Sequence, residues 1–223
     1  MCFSATASFI AGGVLLTVGS VTVNRAQKRT ELPFAMIPLL FGVQQIIEGA
    51  LWLTFPDKAP ILSTILTYAY SVFSHVLWPI FVPFAVLLVE PSIWRRKVVM
   101  GIGAGAGLVA LYLLYALITQ PITAVVEGRH ITYVSPHFYG IAVMGLYLLG
   151  TCVSALVSSH RTVRVFGVVA FASFIVAYAF YAAWFISVWC FLAGVMSGFI
   201  LLHFIRRTGN RDEPQHIHAY IGR

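Results

Sequence analysis

The sequence predicts an all-α membrane protein: a bundle of seven transmembrane helices with its N-terminus outside and its C-terminus in the cytoplasm. Hydrophobic residues make up 60% of the chain and charged residues only 9%, whereas soluble domains carry about 25% charged residues. The mean hydropathy is +0.90, and the apolar runs are long and continuous, as membrane spans require. We therefore expect the lipid bilayer to be the main partner of this chain.

Each long apolar run is interpreted as one span. No positive charge precedes Arg25, so the first run is expected to remain as a helix and not to act as a removable signal peptide. The run 165–205 is twice as long as a bilayer requires, so we expect it to break near Ala182–Trp184. Pro79 and Pro83 predict a kink in the third span. The predicted spans are residues 4–24, 33–55, 62–89, 98–119, 138–158, 165–182 and 184–205.

The positive charges predict the orientation. The loops after spans one, three and five, together with the tail, hold 12 of the 14 lysines and arginines. Basic loops stay in the cytoplasm, which predicts a protein of the cytoplasmic (inner) membrane with a single transmembrane domain at 1–206 and a polar cytoplasmic tail at 207–223. The net charge of +7 is then a topology signal, and we expect no nucleic-acid partner.

The remaining loops and the cysteines add two expectations. The longest predicted outside loop, 120–137, contains the sequence ITYV, which predicts either a short hairpin arm or a re-entrant cap. Cys152 and Cys190 fall inside predicted helices, so no disulfide framework is expected.

Glu48 is the single acidic residue of the seven that falls within a predicted span. A carboxylate in a span is energetically costly and usually faces a cavity or a partner, so Glu48 is a functional candidate. Gln44, Gln45 and Glu48 can line one side of the helix, with Trp52 a turn further out. The structural alternative is a neutral carboxyl hydrogen-bonded to Gln44 or Gln45.

A second polar stripe lies on the third span. Thr64, Tyr68, Ser71 and His75 follow one another at spacings of four, three and four residues, which predicts one helical face. Counting the helical rise from the ends of each span places both Glu48 and His75 in the outer half of the bundle, where they could meet. Such a pair would form part of a site or, alternatively, only hold the helices together.

Cys2 would lie at the outer mouth, above the same half of the bundle. A thiolate, a carboxylate and an imidazole suit zinc, or copper if methionines join, so Cys2, Glu48 and His75 are the predicted metal ligands. His130, His137 and Cys190 are further candidates on that side. The alternative for Cys2 is a small buried residue without a role. The HIH sequence at His216 and His218 would make a weak surface chelate and needs no role.

Four glycines lie close together in the sequence MGIGAGAG: Gly101, Gly103, Gly105 and Gly107. Small residues at such spacing allow close helix approach. They predict either a homo-oligomer interface or tight packing inside one bundle.

The segments MCFSATASF, ELPFAMIPLLFGVQQIIEG and SHVLWP resemble an uncharacterised bacterial family of small polytopic membrane proteins. The resemblance covers most of the chain, and MCFSATASF is its most specific part. The family carries a domain of unknown function, so the resemblance implies no activity, but it does suggest that Cys2, Glu48 and His75 act as one group.

The Ser71-x-x-x-His75 motif is similar to one on a membrane helix of the alkaline ceramidase and adiponectin-receptor superfamily of seven-helix zinc hydrolases. The resemblance implies catalytic roles for Ser71 and His75 alone, because the last helix of this chain lacks the His-x-x-x-His of that superfamily and no intramembrane aspartate is present. A retinal protein is excluded, since every lysine lies in a predicted loop.

Three functions remain open. The first is a metal site of Cys2, Glu48 and His75 that, with an open zinc position, would activate water for hydrolysis of a small-molecule or lipid substrate, with Glu48 as general base. The second is a proton or small-cation transporter or sensor that uses Glu48 and His75. The third is a structural scaffold.

Overall fold

The computed structural model describes residues 4–56, 58–128, 130–135, 140–181 and 184–209. Almost all of this part of the chain is helical. The helices are α1 (Ala5–Arg25), α2 (Leu32–Trp52), α3 (Pro60–Ser71), α4 (Trp78–Val89), α5 (Ile93–Thr119), α6 (Ile141–Leu148), α7 (Ser154–Leu156), α8 (Arg161–Phe180), α9 (Phe185–Ser197) and α10 (Phe199–Gly209). A 3₁₀ turn at Arg29–Glu31, π-helical segments at Val72–Leu77 and Leu149–Val153, and strands β1 (Thr123–Glu127) and β2 (His130–Val134) complete the described elements.

Six helices in the described part of the chain are long and apolar enough to cross a membrane. They are Ala5–Arg25, Arg29–Trp52, Pro60–Val89, Ile93–Thr119, Arg161–Phe180 and Phe185–Leu202. The predicted span 138–158 corresponds to a shorter apolar helix, Ile141–Leu156. The chain is thus a helical, multi-pass membrane protein by length and composition; its described residues hold six full-length candidate spans and one shorter apolar helix, and the count of seven spans stays a prediction.

The two ends of the bundle differ. At one end, here called the hairpin end, the imidazole of His130 on β2 stacks on Trp184 with ring centroids 4.3 Å apart. At the other, here called the basic end, a cavity of about 550 Å³ is lined by Lys28, Arg96 and His160. The basic links that follow α1, α4 and α7 therefore meet at one end, as the charge pattern predicts.

Helices α1 and α2 pack antiparallel through glycine. A Cβ at Gly42 would lie 2.8 Å from the backbone nitrogen of Leu16, and one at Gly49 would lie 3.0 Å from the Phe9 ring. Only residues without a side chain permit this separation. The Phe9–Gly49 contact brings the start of α1 beside the Trp52 end of α2.

The third span departs from the prediction at its centre. Instead of a proline kink alone, the π-helical segment Val72–Leu77 interrupts the α-helix just before Pro79. The predicted stripe is wrong in its first half, because Thr64 is exposed and Tyr68 only partly buried. Both lie on α3 before the π-helical segment, Thr64 only one turn from the helix start, and the π-helical segment changes the face only of the residues that follow it. The buried polar residues are Thr67, Tyr70, Ser71, Ser74 and His75.

The prediction of a hairpin arm is confirmed. β1 and β2 pair antiparallel from Thr123↔Val134 to Glu127↔His130, and Gly128 at the turn has φ +65. Tyr133 stacks on Tyr70 with ring centroids 4.5 Å apart, which fixes the hairpin against the third span.

The predicted break in the run 165–205 is confirmed within the described residues, since α8 ends at Phe180 and α9 begins at Phe185. Ala182 itself lies outside the described residues.

The glycine run on α5 divides between two environments. Cβ atoms at Gly103 and Gly105 would touch Pro83 and Leu146, whereas Gly101 and Gly107 have nothing within 4 Å. Packing inside the bundle therefore accounts for two of the four glycines.

Candidate functional site

Two polar networks are buried near the hairpin end of the bundle. The Glu48 network joins α2 to α9 and to Trp78 at the start of α4. The His75 network joins the π-helical segment Val72–Leu77 to the hairpin. Both lie among side chains that are almost completely enclosed.

In the Glu48 network, the carboxylate has no exposed surface and accepts a hydrogen bond from the hydroxyl of Ser187, with 2.6 Å between Oγ and Oε1. This distance is typical of a hydroxyl that donates to a charged oxygen. Ser187 lies on α9, 139 residues further along the chain than Glu48. Cys190, one turn further along α9, lies beside Glu48 and Gln44.

Gln44 and Trp78 complete this network. The indole Nε1 of Trp78 donates to Gln44 Oε1 at 2.8 Å, and its ring stacks on Phe41 with centroids 3.8 Å apart. A buried tryptophan usually finds such a partner for its N–H. The amide orientation of Gln44 is thereby fixed toward α4.

Several buried polar atoms of α2 and α3 have no hydrogen-bond partner among the described residues. They are Gln44 Nε2, both amide atoms of Gln45, Ser71 Oγ and Trp52 Nε1. Each such atom costs about 1–3 kcal/mol if it stays unsatisfied. Gln45 and Ser71 have no exposed surface, so this part of the core is chemically suited to a small polar or ionic ligand.

In the His75 network, both ring nitrogens meet serine hydroxyls. Nδ1 lies 2.8 Å from Ser74 Oγ, and Nε2 lies 2.9 Å from Ser135 Oγ at the end of the hairpin. The hydroxyl of Tyr147 on α6 donates to the backbone carbonyl of Ser74 and fixes the π-helical segment. Ser135 also lines a cavity of about 230 Å³ between the hairpin and the end of α5.

The structure describes three of the predicted site residues. Glu48, Ser71 and His75 are all buried in the same half of the bundle, near the hairpin. The hydrogen bonds described for Glu48 and His75 go to different partners, and a direct contact between the two stays a prediction. No group of three or more His, Cys, Asp and Glu side chains within the described ranges could hold a metal ion. Cys2 lies outside those ranges, so the three-ligand site is not tested.

The other candidate ligands have varied outcomes. His130 is buried and stacked on Trp184, and Cys190 belongs to the Glu48 network. His137, His216 and His218 lie outside the described residues. Sequence reasoning missed Ser187 and Ser135, since a lone serine on an apolar helix or in a loop carries no pattern. On the α4 side of the site, the tryptophan–proline pair Trp78–Pro79 was the one sequence feature that could have drawn attention to the Gln44 partner.

A third polar cluster lies at the basic end. Glu90 is 1% exposed and accepts four hydrogen bonds: from the hydroxyls of Ser158 and Ser159 at 3.0 and 2.5 Å, and from the backbone N–H groups of Ser159 and Ser92 at 2.6 and 3.1 Å. Burial alone raises the pKa of Glu90, but the hydrogen bonds from Ser159, Ser92 and Ser158 outweigh it and hold the pKa below its usual value. This cluster holds the link between α4 and α5 against the link between α7 and α8, which is a structural role.

A model of a protein family described as a family of unknown function (DUF6629) matches residues 1–216. The chain belongs to the DUF6629 family. The match includes both buried networks and the Glu90 cluster, so all three lie within the DUF6629 region. The family description carries no activity, in agreement with the resemblance noted in the sequence.

No curated protein and no solved structure was found to be similar to this DUF6629 protein. The resemblance of Ser71 and His75 to the ceramidase and adiponectin-receptor superfamily therefore stays a prediction. The functional argument must come from the buried networks themselves.

Proposed function

We propose that this DUF6629 protein binds a cation at Glu48 within the membrane, either a proton or a small metal ion, and acts as a transporter or sensor for it. The observation that carries the proposal is a fully buried carboxylate on α2, beside the amides of Gln44 and Gln45 and the hydroxyl of Ser187. Intramembrane carboxylates of this kind mark ion or proton pathways.

The electrostatic environment supports the proposal. Helices α2, α3, α4 and α9 contain no lysine or arginine. A negative charge in this core is costly unless it is balanced. Neutrality at Glu48 therefore depends on a proton, on a bound ion or on a group from another part of the chain.

The oxygen atoms near Glu48 favour a hard cation. Gln44 Oε1 and Ser187 Oγ lie in the Glu48 network, and Gln45 Oε1, three residues before Glu48 on α2, has no hydrogen-bond partner among the described residues. Amide, hydroxyl and carboxylate oxygens are ligands of hard cations. The same oxygens would also accept protons from a hydrated relay.

The test is flux into liposomes that contain the purified protein and a pH-sensitive dye. An imposed potential is expected to drive proton or sodium entry with the wild-type protein, and Glu48→Gln is expected to reduce entry to the level of empty liposomes, because it removes the titratable charge. Glu127→Gln, at an exposed hairpin position, is the matched control and should not change the flux.

Melting temperature gives the second measurement. A sensor without transport would still be stabilised by its cation, so wild-type stability should depend on sodium or proton concentration and that of Glu48→Gln should not. Equal flux in all samples, combined with equal cation dependence of melting in both proteins, would refute the proposal.

The second candidate function is the metal site of Cys2, Glu48 and His75, with zinc or copper as the ion and hydrolysis as the reaction at an open zinc position. The contact between Phe9 and Gly49 favours it, because it brings the start of α1 to the end of α2 that follows Glu48. Glu48 would bind the metal or act as general base, and Ser71 and His75 would complete the catalytic set.

Elemental analysis of the purified protein tests this candidate. About one zinc or copper ion per chain is expected, lost in Cys2→Ser, Glu48→Gln and His75→Ala and retained in Cys152→Ser, whose buried cysteine is not one of the three predicted ligands. A preparation without metal, or with metal that survives all three changes, would contradict the site.

The location and assembly also remain proposals. We place the protein in the cytoplasmic membrane with the basic end inside, because its positive charges collect at that end. Gly101 and Gly107 are the glycines of the α5 run left for a homo-oligomer contact, since they have nothing within 4 Å.

A further inference from the structure

We propose that Ser135 is a nucleophile activated by His75, and that the cavity beside it takes a carboxylic ester with an aliphatic acyl group. This activity goes beyond cation binding and rests on the His75 network alone. The His75 network holds the three parts that acyl transfer requires: a hydroxyl, a base within hydrogen-bonding distance and a third group that orients the base.

The hydrogen-bond partners of His75 favour one of its two tautomers. Ser74 Oγ donates its proton to the backbone carbonyl of Ser71 at 3.3 Å, so at Nδ1 it is left to accept from the ring N–H at 2.8 Å. A neutral imidazole with its proton on Nδ1 has a lone pair on Nε2. The hydroxyl of Ser135 then donates to Nε2 at 2.9 Å, which is the arrangement of a general base and its nucleophile.

The surroundings hold these groups in place. His75 is 1% exposed, and its π-helical segment is fixed by the hydrogen bond from Tyr147 to the Ser74 carbonyl. π-helical turns inside α-helices occur frequently at functional sites. Ser135 directly follows β2, whose Tyr133 stacks on Tyr70. One reacting group thus lies within a helical span, and the other lies next to a strand that packs against that span.

The cavity indicates the class of substrate. It measures about 230 Å³, and most of its lining is apolar, from Leu113, Leu117, Ile122 and Val134, with Gln120 and Ser135 as the polar side chains. An acyl chain would contact the apolar wall and place its carbonyl carbon near Ser135 Oγ. Gln120 lines the same cavity, and its amide N–H groups are of the kind that can donate to the carbonyl oxygen as negative charge develops there.

The reaction balances with water as the co-reactant. Ser135 Oγ forms a bond to the ester carbonyl carbon while its proton moves to His75 Nε2. The bond between the carbonyl carbon and the alkoxy oxygen breaks, and the departing alcohol takes that proton. Water then attacks the acyl-serine with His75 again as base, which releases the carboxylic acid and restores Ser135.

A fluorophosphonate probe tests the proposal, because it forms a stable bond with activated serines. The intact purified protein is expected to be labelled at Ser135, as located by peptide mass spectrometry. Ser135→Ala should abolish the labelling and His75→Gln should slow it roughly 100-fold. Thr132→Val, on the same hairpin, is the control and should be labelled at the wild-type rate. Absence of labelling, or labelling that survives Ser135→Ala, would overturn the proposal.

A second measurement guards against variants that simply fail to fold. Ser135→Cys retains the side-chain geometry, and its alkylation by iodoacetamide reports activation by the neighbouring base. With His75 present, the rate should rise at a lower pH than in Ser135→Cys combined with His75→Gln. Identical pH profiles would mean that the contact only anchors the hairpin. Both assays measure reactivity at residue 135, whereas the cation-site proposal is tested by flux and by cation-dependent melting, so failure of one proposal is distinguishable from failure of the other.

Discussion

At the scale of single residues, Glu90 shows how a buried carboxylate can be stabilised without a basic partner. Four donors from Ser92, Ser158 and Ser159 surround its two oxygens. Hydrogen bonds to charged groups each contribute about 1.5–3 kcal/mol. Glu90 therefore joins the α4–α5 link to the α7–α8 link through charge-assisted bonds.

Glu90→Gln should destabilise the protein by about 2–3 kcal/mol, since it replaces one of the two acceptor oxygens with an NH2 group that faces a hydroxyl and a backbone N–H, both of which donate in the wild-type protein. Thermal unfolding in detergent measures the loss. Glu127→Gln, at an exposed carboxylate, is the control and should change stability by less than about 0.5 kcal/mol.

The same variant predicts a pH dependence. The folded-state pKa of Glu90 lies below the usual value of 4.5, so its stabilising contribution is complete above that pH. The contribution is lost as the pH falls from 4.5 through the folded-state pKa, because protonation removes the acceptor. The wild-type melting temperature should therefore fall toward that of Glu90→Gln in acid, whereas a constant difference across the acid range would contradict this account.

The sequence predicted the burial of Glu48 and His75 because a polar residue inside an apolar run has few alternatives to facing other helices. It could not predict their partners. Ser187 lies 139 residues from Glu48 and Ser135 lies 60 residues from His75, and such long-range pairs depend on how the helices are arranged. The serines themselves resemble any small residue of an interface.

At the scale of elements, the contact between α1 and α2 is the closest in the bundle for which glycine is responsible. The Cβ that alanine would add at Gly42 meets the backbone nitrogen of Leu16, and backbone cannot move aside as a side chain can. Gly13, on the same helix pair, has nothing within 4 Å of its Cβ position. Alanine at Gly42 would therefore clash with a neighbouring helix, whereas alanine at Gly13 would not.

Gly42→Ala should destabilise the protein by about 1–3 kcal/mol through overpacking. Gly13→Ala should be neutral or stabilising by up to about 1 kcal/mol, because alanine favours the helix. Melting temperatures in one detergent would measure both. Equal effects at the two positions would show that α1 and α2 are not packed as closely as described.

Hydrophobic runs predicted nearly every helix and the break between α8 and α9, since length and hydropathy decide what can cross a membrane. The two π-helical segments were not predicted, because apolar composition does not distinguish i→i+5 from i→i+4 hydrogen bonding. The prediction of one continuous polar stripe on the third span was wrong at Thr64, which is exposed.

At the scale of the whole molecule, the buried polar networks and the basic side chains lie at opposite ends of the bundle. Tyr70, Tyr133 and His130 cluster with the polar networks at the hairpin end, whereas Lys28 and Arg96 lie at the basic end. The orientation of these ends across the membrane follows from the charge rule and stays a prediction.

Cysteine labelling tests the orientation. In a Cys2→Ser background, Val125→Cys on the hairpin should react with a membrane-impermeant maleimide in intact cells. Thr30→Cys, at an exposed site of the basic end, should react only after the cells are opened. The reverse pattern would mean that the basic end faces outward.

The π-helical segment in the third span has a consequence for comparing DUF6629 sequences. Its extra residue advances everything that follows by about 100° of helical rotation. A relative in which this span is purely α-helical would need a one-residue gap between Tyr70 and Trp78 to keep both positions in register. An alignment without that gap would pair His75 with a residue that faces a different neighbour. The histidine would then look unconserved, although the cause would be an alignment error of one residue.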